Sequence, residues 1–160
     1  MIDKTPSSFE YCLLLFSSEL EWFTKKKFMM SKLIIDAAND NIFLTIISDN
    51  DTYNVSYENS KNNYEKMVDY IKKFLKTRNL TLNNISKIYV NRGPGSFAGT
   101  RSSLSIVKGI HLAKKIDYYC FSYLDFINEK EKKNINWLEL PKLCKKYKIK
   151  KNLIKPLYLS

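Results

Sequence analysis

The sequence predicts an α/β fold, a mixed (α+β) sheet covered by helices, in the order β-β-β-α-β-α-β with a C-terminal helix. Three observations carry that prediction. Apolar and β-branched runs at residues 33–35, 42–47 and 52–57 follow one another with only turn residues between them, as in an antiparallel meander. A stretch with apolar residues at helical spacing comes next. Two further short runs, residues 88–90 and 118–121, then alternate with a second helical segment, which places helices over a sheet.

The first 29 residues stand apart. Lys4, Lys25, Lys26 and Lys27 balance Asp3, Glu10, Glu19 and Glu21, and no clean alternation is visible. The segment ends at Met29-Met30, directly before the first convincing strand, which makes either methionine a candidate natural start. The competing reading is an amphipathic extension that packs Leu13, Leu14, Phe16, Leu20 and Phe23.

From Lys32 the pattern is legible. Leu33-Ile34-Ile35-Asp36 is an apolar run ending in an acid, followed by a polar turn over residues 37–41. After the strand at 42–47, Asp49-Asn50-Asp51 is a hairpin-type turn. Tyr64, Met67, Val68, Ile71 and Leu75 then fall on one helical stripe with Phe74 filling in, which predicts a helix over 63–78. Glu65 near its start, Lys76 and Arg78 at its end, and Asn79 as a stop all suit the helix dipole. Ile88-Tyr89-Val90 is a short strand with Asn91 at its tip. A helix over 100–115, a buried strand at 118–121 and a brief helix at 123–127 follow. Residues 128–136 form a charged, polar linker. Pro141, tolerated in a first turn, marks a last helix with Leu140, Leu143, Cys144 and Tyr147 on one stripe. The organisation is therefore an extension or mis-assigned start at 1–29, a lobe at 30–127, a linker at 128–136, and a helix with a basic tail at 137–160.

Composition bounds the function. A chain of 160 residues fits one domain with a real core. The longest apolar run, residues 11–16, falls far short of the roughly 18 needed to cross a bilayer. Cys12, Cys120 and Cys144 lie far apart, without metal-ligand spacing, and suit reduced thiols in a cytoplasmic protein. The net charge is +11, and from Glu129 onward ten lysines face three glutamates. Such a surplus attracts polyanions, although abundant Asn, Ile and Lys also fit an AT-rich coding background.

All four glycines, Gly93, Gly95, Gly99 and Gly109, fall within seventeen residues. Gly93-Pro94-Gly95-Ser96-Phe97-Ala98-Gly99 joins a strand to a helix, a place where glycine permits positive φ or close approach. Such a loop can aim amide groups at an anion; strand-to-helix packing alone explains it equally well. Its spacing is neither the dinucleotide fingerprint nor the Walker loop. In the helix that follows, Leu104, Ile106, Val107, Gly109, Ile110, Leu112 and Ala113 cover nearly the whole circumference. One side can face its own sheet; the other needs a partner protein, the N-terminal extension or the C-terminal helix.

Gly93-Pro94-Gly95-Ser96-Phe97-Ala98-Gly99-Thr100-Arg101, continuing through Lys108-Gly109, resembles the TsaB family signature Gly-Pro-Gly-Ser-Phe-Thr-Gly-x-Arg with its Ala-Lys-Gly helix. Leu33-Ile34-Ile35-Asp36 is similar to the family's opening strand, Asn63-Tyr64-Glu65 stands where its His-Ser-Glu helix start would be, and Pro156-Leu157-Tyr158-Leu159 resembles its closing Pro-x-Tyr-Leu-Arg. The resemblance implies a single actin-like (ribonuclease-H-like) lobe with most of the second lobe missing. It implies a non-catalytic subunit that pairs with the TsaD transferase, is joined by the TsaE ATPase, and meets transfer RNA indirectly while threonylcarbamoyl is transferred to adenosine 37. No membrane partner follows from it. The implied contact residues are Arg101, Ser102, Ser105, Ile106, Gly109, Ile110 and Ala113 on the second helix, with Met67 and Ile71 on the first. Gly93, Pro94, Gly95, Ser96, Phe97 and Gly99 form the loop and possible anion site. The family's Thr-Ser after the first aspartate is Ala37-Ala38, and without a second lobe no inter-lobe nucleotide cleft forms, so no cofactor, ATP included, is expected on this chain.

An enzyme finds little support: His111 is the single histidine, and Ser96, His111 and Asp36 make a triad only on paper. Two other readings stay open, a small basic protein that binds nucleic acid through the lysines of 142–155, and a decayed remnant of the family.

Overall fold

The computed structural model of the protein describes residues 30–49, 51–126 and 136–158. Strands β1 (Ser31–Asp36), β2 (Asn41–Ser48), β3 (Asp51–Glu58), β4 (Ile85–Asn91) and β5 (Asp117–Phe121) form one sheet in the order β3-β2-β1-β4-β5. β1 to β3 make the expected antiparallel meander, and β4 and β5 run parallel to β1. The β2–β3 turn is tight because Asp49 adopts a left-handed φ of 51°, which aspartate tolerates better than most residues.

β1 lies at the centre, so both of its faces are covered. Leu33 and Ile35 point to a first face with Met67, Phe74, Leu104 and Val107. Ile34 points to the second, with Phe121, Phe126, Leu140 and Cys144. Successive strand residues alternate between faces, which is why the run is apolar throughout rather than alternating. Each fully buried large side chain contributes about 1.5–3 kcal/mol of transfer free energy.

Helices α1 (Lys61–Glu65), α2 (Met67–Thr77) and α3 (Phe97–Lys114) accompany the first face, while α4 (Leu140–Lys146) and a 3-10 turn (Tyr123–Phe126) cover the second. The single helix expected over 63–78 is divided at Lys66, whose φ of −87° and ψ of 0° interrupt it. Tyr64 explains the break: its hydroxyl pairs with Ser96 Oγ at 3.0 Å, and its carbonyl accepts from Ser102 Oγ at 3.3 Å. The first turn is thereby tied to α3 while α2 settles on the sheet. Asp69, not Glu65, occupies the first turn of α2. Asn79 does end the segment, in a left-handed conformation with φ 54°. The second long helix starts at Phe97, earlier than its apolar stripe indicates, because Ser96 caps it by accepting from Gly99 N at 3.2 Å. Residues 1–29, including the candidate start and the amphipathic stripe, residue 127 at the end of the expected brief helix, and residues 128–135 of the linker lie outside the described residues.

Candidate functional site

β1 and β4 are parallel neighbours, and their terminal polar residues join in one hydrogen-bonded knot. Buried Asp36 accepts through Oδ1 from Ala38 N at 3.1 Å and from Asn91 Nδ2 at 3.0 Å. Its Oδ2 accepts from the Tyr123 hydroxyl at 2.7 Å and from Asn39 Nδ2 at 3.3 Å. Asn91 passes the connection on, its Oδ1 accepting from Gly93 N at 3.0 Å. Burial first, and the neighbouring Asp36 charge second, push the Tyr123 phenol far above its ordinary range. The hydroxyl therefore stays a donor, and the buried carboxylate keeps its partners.

The glycine loop sits against the β1–β2 turn. A Cβ on Gly95 would lie 2.0 Å from the Ala38 carbonyl oxygen, and one on Gly99 would lie 2.2 Å from that of Ala37. Ser96 N donates to the same Ala38 oxygen at 2.7 Å. Backbone thus packs on backbone, with no room for a side chain. The amides of Gly93, Ser96 and Gly99 are all engaged within the chain. The Gly93–Pro94 bond is cis.

Residues 155–158 return over this loop. Leu157 N donates to the Arg92 carbonyl at 2.8 Å, and Arg92 Nη1 donates to the Lys155 carbonyl at 3.2 Å. Arg92 Nη2 pairs with Asp125 Oδ1 at 2.5 Å. The Tyr158 ring meets that of Phe97 at 5.0 Å, and the Arg101 guanidinium lies 5.1 Å from the Phe97 ring centre.

Beyond the loop, α3 buries Leu104 and Val107 against the sheet. Toward α2 it leaves an apolar groove of about 350 Å³, lined by Val68, Ile71 and Leu82 on one side and by Ile106, Gly109 and Ile110 on the other. A Cβ on Gly109 would meet nothing within 4 Å. Among the described residues neither α4 nor the returning tail lines this groove. His111 is occupied elsewhere: its Nδ1 pairs with the Ile116 carbonyl at 2.9 Å, and its ring stands edge-on to Tyr118. Ser96, His111 and Asp36 therefore each hydrogen-bond to other partners. Among the described residues no group of three or more His, Cys, Asp or Glu stands together as a metal set.

The family model described as "TsaD: tRNA N6-adenosine threonylcarbamoyltransferase" matches residues 54–145, more than half of the chain. Two relatives in Buchnera aphidicola, from Schizaphis graminum (strain Sg) and Baizongia pistaciae (strain Bp), both carry the name tRNA threonylcarbamoyladenosine biosynthesis protein TsaB. The first is 29% identical over 98 residues, 61% of this chain and 47% of the relative. The second is 29% identical over 86 residues, 54% of this chain and 39% of the relative. The chain belongs to this family, as a TsaB-type member. It spans less than half the length of these two relatives. YeaZ from Pseudomonas aeruginosa superposes with a TM-score of 0.55 at 16% identity, covering 64% of this chain and 50% of that one. A second structure, described as similar to peptidase YEAZ from the same organism, gives the same values. Both carry the fold alone: the actin-like lobe implied by the signature is the architecture observed.

In this TsaB-type chain the expected contact residues divide. Ile106, Gly109, Ile110 and Ala113 line one groove with Ile71 as its floor. Arg101 and Ser105 are exposed, and Ser102 is half-buried against Tyr64. Met67 is a correction: it is fully buried in the core, where no partner reaches it, and Ile71 keeps only 2% exposure. The resemblance points to the helix as a whole, and Met67 lies on the stripe of it that packs on the sheet. Val68, 41% exposed, lines the same groove and was not among the expected residues; Leu112, 60% exposed, lies on α3 outside the groove. Val68 belongs to the same apolar stripe, and only the position of the sheet tells the two sides apart.

Proposed function

We propose that this chain is a non-catalytic TsaB-type subunit of the tRNA N6-threonylcarbamoyladenosine (position 37) modification complex, and that it pairs with a TsaD-type transferase through the groove between α2 and α3. The names of its relatives support the pathway. One observation carries the pairing: Gly109 leaves open space in the middle of an apolar groove walled by Val68, Ile106 and Ile110. A side-chain-free position there lets a partner helix approach closely, and each 100 Å² of apolar surface covered contributes about 2.5 kcal/mol before association costs. A TsaE-type ATPase joins the assembly in this reading, transfer RNA is met through the complex, and this chain holds no nucleotide of its own.

Co-expression with a TsaD-type subunit tests it. The pair co-purifies in 1 M salt, because the contact is apolar. Gly109→Glu abolishes co-purification while the melting temperature of the isolated chain is not lowered. Retention of the pair by that variant, or a folded wild type that never pairs, overturns the reading.

A further inference from the structure

The second face of the sheet carries a cleft of about 510 Å³ between β4, β5 and α4. Lys32 and Lys87 approach it from the strands, and Lys142, Lys145 and Lys148 from α4 and the turn after it. Among the described residues no acidic one lines the cleft, and the described ion pairs, Arg92 with Asp125 and Lys151 with Asp117, involve none of these five lysines. Between the lysines lie Tyr89 and Tyr119, stacked with centroids 5.3 Å apart and planes 17° from parallel. Lys87 Nζ stands 5.8 Å from the centre of the Tyr119 ring. Tyr89 is buried beneath, so Tyr119, on edge strand β5, is the half-exposed member of the pair.

We propose that this cleft binds single-stranded nucleic acid, with the lysines on successive phosphates and a base stacked beside Tyr119. Unpaired ammonium groups attract any polyanion, but an aromatic platform between them adds nothing for an acidic peptide, whose side chains are not planar rings. A stacked ring does add for an unpaired base. Duplexes keep their bases inside, so a single strand or loop fits better. The lysine-rich tail thus acts together with β1, β4 and β5 rather than alone. The cleft lies on the opposite face of the sheet from the α2–α3 groove, and the inference stands independently of the proposed pairing.

The test is anisotropy of a fluorescein-labelled oligouridylate with the full chain, without any partner, across a salt series. Binding is expected, and K142E/K145E/K148E weakens it at least about tenfold. The same triple flattens the slope of log affinity against log salt by about 2, near 0.7 per lysine. Reversing three lysines on the other face, K72E/K73E/K76E, changes affinity by less than about threefold. Tyr119→Leu weakens oligouridylate about fivefold or more and leaves inorganic polyphosphate binding as it was. Equal losses from the two triples mean diffuse charge and overturn the proposal. So does poly-glutamate that binds as tightly as oligouridylate, or no binding at all. The lysine substitutions are on exposed positions, so they and the poly-glutamate comparison decide the matter even if Tyr119→Leu does not fold.

Discussion

The Tyr123 hydroxyl donates to buried Asp36 at 2.7 Å, joining the turn after β5 to the end of β1. Removing that donor in Tyr123→Phe leaves the buried Oδ2 with Asn39 alone and is expected to cost about 1–3 kcal/mol in urea unfolding. The phenol is pushed up from its ordinary 10.0, chiefly by burial and then by the Asp36 charge. Its contribution is therefore fully present below pH 10 and is lost as the pH rises further, because the unfolded phenol ionises first. Between pH 10 and 11 the wild type should lose stability more steeply than Tyr123→Phe. Tyr89, also raised by burial, leaves a residual decline in both. Parallel curves would remove the assigned role.

The glycines make an opposed pair. Gly99→Ala drives a methyl group to 2.2 Å from the Ala37 oxygen, and overpacking of that kind costs about 1–3 kcal/mol or more. Gly109→Ala meets no atom within 4 Å and removes backbone freedom from the unfolded chain, so it should stabilise by about 0.5–1 kcal/mol. Thermal melts of the two variants should move in opposite directions.

Cys120 and Cys144 are buried, and burial is the main cause that pushes each thiol from 9.0 up to about 12. At pH 8 the thiolate fraction falls by about a thousandfold relative to an ordinary thiol. Iodoacetamide should modify both peptides at least a hundredfold more slowly in native buffer than in urea, as followed by mass spectrometry. Rapid native labelling of either would contradict the packing.

Arg92 holds the returning segment. Arg92→Ala removes the Asp125 pair and the contact with the Lys155 carbonyl, at about 1–3 kcal/mol for a charged hydrogen bond on a mostly buried side chain. The local signature is specific: exchange of the Leu157 amide, bonded to the Arg92 carbonyl, should accelerate more than exchange in β2. Uniform acceleration would point to global loosening instead.

Much of this architecture was legible in the residues. The run Leu33-Ile34-Ile35 has no polar break because β1 is covered on both sides, and the turn residues around it bound the meander. The glycine loop was recognisable, but its purpose was not, because the decisive distances are to Ala37 and Ala38, more than fifty residues upstream. The division of the α1–α2 segment was hidden for a similar reason. Tyr64 fits the apolar stripe, and only its pairing with Ser96 and Ser102 shows that it serves α3. The cleft around Tyr89 and Tyr119 was legible only in part: the lysines of 142–155 stood out as a basic run, but nothing local joins Lys142, Lys145 and Lys148 to Lys32 of β1 and Lys87 of β4.

The bond from Leu157 to Arg92 bears on how the protein is made. Elongation delivers Gly93 and the long helix well before Leu157, so for much of translation the glycine turn is without the strap that will lie across it. That corner of the molecule reaches its final arrangement only after residue 157 has cleared the ribosome, and until then it is a place where a chaperone can still engage the nascent polypeptide.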